Sequence, residues 1–262
     1  MDLGLEGKIA LVTGASRGIG RAIVGKLAEE GADVMLVARN AANLEKACAD
    51  IRETTGRRAE LCSADLSGPH GIQTAFEAVR RTYGRIDILV NNAGDTRSGD
   101  FLTLDEEAWE SGFALKFFGY VRMCRTLWPM LKESHGTVIN IVGTGALTPG
   151  PHFAIGGSVN AAVANFSKAL ANLGLADDVN VNVVHPGTVA ETDRYETLLA
   201  RSAEALGLER DEAARRSLAS QGIRRFALPA DVATVTAFLA SPLARHVQGT
   251  QTIVDGGSTK GL

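Results

Sequence analysis

Cysteine is scarce in this chain and unpaired: Cys48, Cys62 and Cys124 are odd in number, widely spaced and form no Cys-x-x-Cys element. That spacing excludes a disulfide framework, and with the 5 histidines it builds no ligand cluster, so no metal site is expected. Reduced, partly buried thiols in a cytoplasmic protein are the expectation. No apolar run reaches membrane-spanning length. The start, Met1–Lys8, carries Asp2 and Glu6 and lacks the apolar centre of a signal peptide. No membrane partner is therefore expected. An excess of one charge is also missing: the formal net charge of −3 offers no field for a polyanion, which argues against nucleic acid. Aromatics amount to 5%, and there is no internal repeat or low-complexity segment.

What the chain has is glycine, 29 residues of it, and enough apolar residues (45%) for a large core within 262 residues. Short apolar runs alternate with segments of helical period. Strands are expected at Lys8–Thr13, Asp33–Ala38, Ala59–Ser63, Ile86–Val90, Thr137–Val142, Asn180–Val184 and Gln251–Val254. Helices are expected at Arg17–Glu30, from an Asn40 cap through Ile51, and at Gly71–Thr82, Leu104–Glu133, Ala154–Ala176 and Pro229–Leu239. Apolar strands between amphipathic helices imply one α/β domain over residues 1–262, a doubly wound parallel sheet covered on both faces. A charged stretch, Glu191–Arg225, interrupts the alternation with two short helices. It follows a strand's C-terminal end, where a lid over residues 188–226 would cover a ligand crevice.

Thr13-Gly14-Ala15-Ser16-Arg17-Gly18-Ile19-Gly20 follows a strand and opens a helix. Gly14 suits a tight turn, Gly18 lets the backbone approach a pyrophosphate, and Gly20 permits close helix–strand packing. The helix N-terminus adds free N–H groups. Asp65-Leu66, Asn91-Asn92-Ala93-Gly94, Pro186-Gly187-Thr188 and Val254-Asp255-Gly256-Gly257 follow in that order. In these motifs the chain resembles the short-chain dehydrogenases/reductases from about Lys8 to Gly257. The resemblance implies an oxidoreductase fold of Rossmann type, a small-molecule substrate and a homotetramer or homodimer. It implies that Asp65 meets the adenine, with Leu66 beside it, and that Asn91, Ala93 and Gly94 line the adenine pocket. It also implies that Val189 and Thr192, after Pro186 and Gly187, meet the nicotinamide carboxamide. An acid after the second strand would repel a 2′-phosphate, but this chain has Ala38-Arg39 there, with Arg17 nearby. Two guanidinium groups favour NADP(H) over NAD(H), although both arginines also fit a solvated surface.

The resemblance also implies an Asn on the long helix, a Ser after the fifth strand and a Tyr-x-x-x-Lys beyond it. This chain places Lys116, Gly143, Gly156 and Asn160 at those four positions, and no Tyr in it precedes a Lys by four residues. The standard proton relay is thus not expected. Lys116 either returns an ammonium to the site or serves as a strut, snorkelling or bonding a carbonyl. Thr144 either replaces the lost hydroxyl or caps a turn. His152 either titrates in the crevice or is merely exposed. Ser158 and His185 read best as structural. Gly143 and Gly156 are expected to enlarge the pocket for a bulky carbonyl, alcohol or activated alkene. The alternative is a catalytically inactive NADP(H)-binding homologue, acting as a sensor or partner subunit. Phe113, Phe117, Tyr120 and Cys124 form a helical stripe that fits either a subunit face or the core.

Overall fold

The computed structural model describes residues 1–260. Seven parallel strands form one sheet: β1 (Ile9–Thr13), β2 (Asp33–Ala38), β3 (Ala59–Ser63), β4 (Ile88–Asn91), β5 (Thr137–Ile141), β6 (Asn180–Pro186) and β7 (Gln251–Val254). Their order is β3-β2-β1-β4-β5-β6-β7, so the winding reverses between β1 and β4 and opens a crevice at their C-terminal ends.

Strand side chains alternate between two cores, as the period of two demands. Ala10, Val12, Val34, Leu36, Ile88 and Val90 face α1 (Gly18–Glu29), α2 (Ala41–Thr55) and α9 (Pro229–Ala240). Ile9, Leu11, Met35, Val37 and Leu89 face α3 (Pro69–Tyr83) and α5 (Gly119–Glu133). Both faces are dry, which explains why the strands read as unbroken apolar runs. Asn40 caps α2 by accepting from Asn43 N–H at 2.9 Å, as expected. The charged stretch forms two helices, α7 (Asp193–Leu206) and α8 (Arg210–Gln221).

The helix expected over Leu104–Glu133 is not continuous. It begins at α4 (Glu106–Gly112), capped by Asp105, and passes through a π-helical segment, Phe113–Phe118, before α5. Gly112 and Gly119 bracket that segment. A Cβ on Gly112 would meet Ile155 at 2.8 Å, and one on Gly119 would meet the Leu66 carbonyl at 3.1 Å. Glycine at both ends lets neighbouring elements press in and weakens the α-helical preference, so the backbone widens between them. α6 (Ala154–Asp177) packs beside it. The aromatic stripe belongs to the interior: Tyr120 and Cys124 are buried, while Phe113 and Phe117 pack on Val159 and its neighbours.

A polar ladder crosses the sheet behind the crevice. Asn91 Nδ2 donates to Asn140 Oδ1 at 2.9 Å, Asn140 Nδ2 to Ser167 Oγ at 2.8 Å, and Ser167 Oγ to the Val163 carbonyl at 2.6 Å. All three side chains are buried, so each depends on the next. Replacing Asn140 with Ala strands a buried N–H of Asn91, while Ser167 keeps its bond to Val163, and is expected to cost about 1–3 kcal/mol. Urea unfolding checks this; an unchanged midpoint would mean the ladder carries no stability.

Candidate active site

The nucleotide end of the crevice is built from the turn between β1 and α1. Gly14 (φ 67°) and Gly18 (φ 53°) take the left-handed backbone that side chains resist. A Cβ on Gly20 would overlap the Gly14 carbonyl and Asn92, so only glycine lets α1 seat this closely. Arg17 caps α1 in extended conformation without a side-chain bond, which leaves the first amides and the positive helix end for an anion. Ser16 is half-buried beside them, and Ile19 packs on the core. Arg39 is exposed after β2. Asp65 is exposed too; the Ser67 N–H, 3.0 Å from its Oδ1, and the field of Arg39 hold its carboxyl below the usual range. Arg17 itself turns to α7 and pairs with Asp193 there.

Two expected ligand residues lie elsewhere. Leu66 is buried in the core, and Asn91 is fully buried in the polar ladder, so neither presents a side chain to the crevice. Their neighbours Ala93 and Gly94 remain accessible. Pro186 is buried at the end of β6, and Gly187 presses against Asp255. Val189 is buried and bridges to Ala227. Thr192 donates to the Val189 carbonyl at 2.8 Å and caps α7 by accepting from Tyr195 N–H at 3.2 Å. Its methyl group stands across the crevice from Gly18.

At the other end, Lys116 projects from the π-helical segment. Its methylenes cover Gly94, and its Nζ donates to the Val142 carbonyl at 2.6 Å. One turn on, Tyr120 donates to the Ile141 carbonyl at 3.1 Å. Burial, with the repulsion of Arg194, pushes the Lys116 ammonium down to about 7. A π-helical segment displaces side chains from the regular helical stripe, which is how it directs this one inward.

Gly143 has φ 132°, and a Cβ there would lie 3.0 Å from Asn160 Nδ2. His185 holds the Gly143 carbonyl with Nδ1 at 2.8 Å, a structural contact. Asn160 is buried, and its Oδ1 has no partner. That orphaned acceptor fits a ribose hydroxyl, as the open helix N-terminus fits a pyrophosphate. A dinucleotide suits the residues present.

The pocket enlargement expected at Gly156 is absent. The Phe153 ring lies over Gly156, where a Cβ would overlap it. Phe153 is three residues earlier, so one helical turn brings its ring over the glycine. Arg194, in the first turn of α7, stacks on that ring with its guanidinium carbon 4.7 Å from the centroid. Thr144 is half-buried at the start of a 3₁₀ turn, and its carbonyl accepts from Leu147 N–H. His152 is exposed, and its carbonyl accepts from Gly99 N–H. Phe153 and Arg194 escaped the sequence reading because neither belongs to a motif. The empty Cβ position at Gly156 beside an aromatic one turn away was the available signal.

The fold and crevice are those of a nucleotide-type dehydrogenase. The family model for short chain dehydrogenase matches residues 8–202, and the chain belongs to that family. It is 34% identical to 2,3-dihydro-2,3-dihydroxybenzoate dehydrogenase from Bacillus subtilis, covering 99% of this chain and 98% of that one. It is also 34% identical to a 3-oxoacyl-[acyl-carrier-protein] reductase from Vibrio cholerae, covering 97% and 98%. L-sorbose reductase from Gluconobacter frateurii, solved with NADPH and L-sorbose, superposes with a TM-score of 0.95 at 33% identity over 100% of both chains.

Gly156→Tyr is expected to destabilise the protein by about 1–3 kcal/mol through overpacking against Phe153. The double variant Phe153→Ala, Gly156→Tyr should recover part of that loss in thermal unfolding. Equal Tm values for the two would refute the overlap. Lys116→Met should raise Tm at pH 6–7 by relieving a desolvated charge. The native ammonium loses its proton near 7, while an unfolded lysine keeps its own to about 10.4. Between those values the unfolded chain binds more protons, so wild-type stability should climb with pH there. The variant should lack that rise.

Proposed function

We propose that this chain is an NADP(H)-dependent oxidoreductase acting on a carbonyl or alcohol, or an activated alkene, with Lys116 as its proton donor. The observation that carries this reading is the Lys116 side chain, which the π-helical segment sets with its Nζ 2.6 Å from the Val142 carbonyl just past the end of β5; burial and the repulsion of Arg194 push its pKa down to about 7. A general acid works best when its pKa lies near the operating pH. The α1 N-terminus would hold the pyrophosphate, Arg39 with Ser16 and Arg17 the 2′-phosphate, and Asn160 Oδ1 a ribose hydroxyl. The NADPH bound by the sorbose reductase supports the choice of nucleotide. For Arg17 to reach the phosphate it must leave Asp193 on α7.

Bound NADPH supplies the hydride to the substrate carbon. Lys116 delivers its Nζ proton to the substrate oxygen as the negative charge develops there, then recovers a proton from solvent. Val142 keeps the amine at the crevice through its carbonyl. Thr144 offers a hydroxyl one residue past Gly143, which stands where the family has a serine. Exposed Phe118, Leu173 and Leu175 on the outer helices support a homotetramer or homodimer. Among the described residues no helix is long and apolar enough to cross a membrane.

Fluorescence titration should show saturable NADPH binding, preferred over NADH, and Arg39→Asp should reverse the preference. Unchanged relative affinities would refute the role of Arg39. Lys116→Ala should lower kcat for reduction about 10²–10⁴-fold. Wild-type reduction should fall as pH rises through about 7, with Arg194 of α7 the charged group facing that ammonium. NADPH binding with no turnover of any carbonyl, enone or alcohol would favour a sensor or partner subunit, the reading that Phe153 over Gly156 supports.

A further inference from the structure

The geometry points to a substrate that carries a carboxylate within a few bonds of its reacting carbon, anchored by Arg194 while Lys116 faces the reacting oxygen. This rests on the oxidoreductase reading above and names its substrate class.

Two cations, Lys116 and Arg194, stand at the reaction end of the crevice. Lys116 spends its one hydrogen bond on the Val142 carbonyl. Arg194 uses only the face of its guanidinium, against Phe153, and its edge N–H groups make no hydrogen bond or ion pair among the described residues. The two charges are near enough that Arg194 is the one charged group depressing Lys116. The Arg194 side chain is exposed, and the attraction of Asp95 there opposes the repulsion of Arg201. Lys116 and Arg194 repel one another, and an anion placed between them is attracted to both.

The shape agrees with the charge. Phe153 holds the guanidinium carbon 4.7 Å from its ring centroid, and the guanidinium's planar fork of N–H donors matches a carboxylate. The ring blocks the space over Gly156, which leaves the substrate oxygen to approach from the Lys116 side. A small oxo acid set this way has its carboxylate on α7 and its carbonyl oxygen near Nζ. In reduction the hydride of NADPH goes to the oxo carbon and the Lys116 proton to the oxygen, giving the hydroxy acid.

The test uses the full chain loaded with NADPH, which first establishes nucleotide binding on its own. Quenching of the bound NADPH fluorescence, and steady-state reduction, are then measured with 2-oxobutanoate, 3-oxobutanoate and the methyl ester of each. At least one acid should bind tenfold or more tightly than its ester. Arg194→Ala should abolish that difference while leaving NADPH affinity unchanged, and Arg194→Lys should restore part of it. Equal binding of acids and esters, or no saturable response to either acid, overturns the substrate class while the oxidoreductase reading survives through its nucleotide. A loss in Arg194→Ala that falls equally on acids and esters also overturns it. Failure to bind NADPH at all overturns the underlying reading instead.

Discussion

The joint between the first and fourth strands holds this molecule in its working shape. Thr13 Oγ1 accepts the N–H groups of Asn92 and Ala93 at 2.9 and 3.0 Å, and Asn92 Nδ2 returns a bond to the Thr13 carbonyl at 3.0 Å. These bonds tie the end of β4 to the end of β1 at the point where the winding reverses. Adjacent strands there send their chains to opposite faces, and these bonds extend the β1–β4 ladder past its last paired residues. Gly14 and Gly20 have no side chain because Asn92, the Ala93 backbone and the Gly14 carbonyl already occupy that space. The crevice is open above this joint and solid below it.

From that joint the two halves of the site diverge in how they are built. The nucleotide half is backbone: left-handed glycines, free helix amides and main-chain turns. The reaction half is side chain, and each member leans on another. Lys116 is held by the Val142 carbonyl, Phe153 fills the space over Gly156, and Arg194 rests on Phe153. A backbone site tolerates sequence change around it, whereas a side-chain site can be rebuilt with different chemistry on the same frame.

That division explains what could be read from the residues alone. The strands were legible because burial on both faces makes them continuously apolar. Their bounds moved by a few residues at most, as at β4, which begins at Ile88 and not Ile86. The Gly-rich turn was legible because its conformation demands particular residues. The break at Phe113–Phe118 was not, since π-helical widening follows from the pressure of α6 and the Leu66 loop, which no local pattern encodes. Leu66 and Asn91 sit inside motifs yet face the core, because a motif marks a stretch of chain and the pleat decides which side chain points out. Arg194 reads as one more charge on a polar helix until the fold sets it against Phe153.

The position of Phe153 also bears on descent. A tyrosine at 156 and a phenylalanine at 153 would compete for one volume. Of the two single-step routes between these arrangements, the one that carries both aromatics at once passes through an overpacked chain, and the one that carries neither passes through a chain with an open space over residue 156.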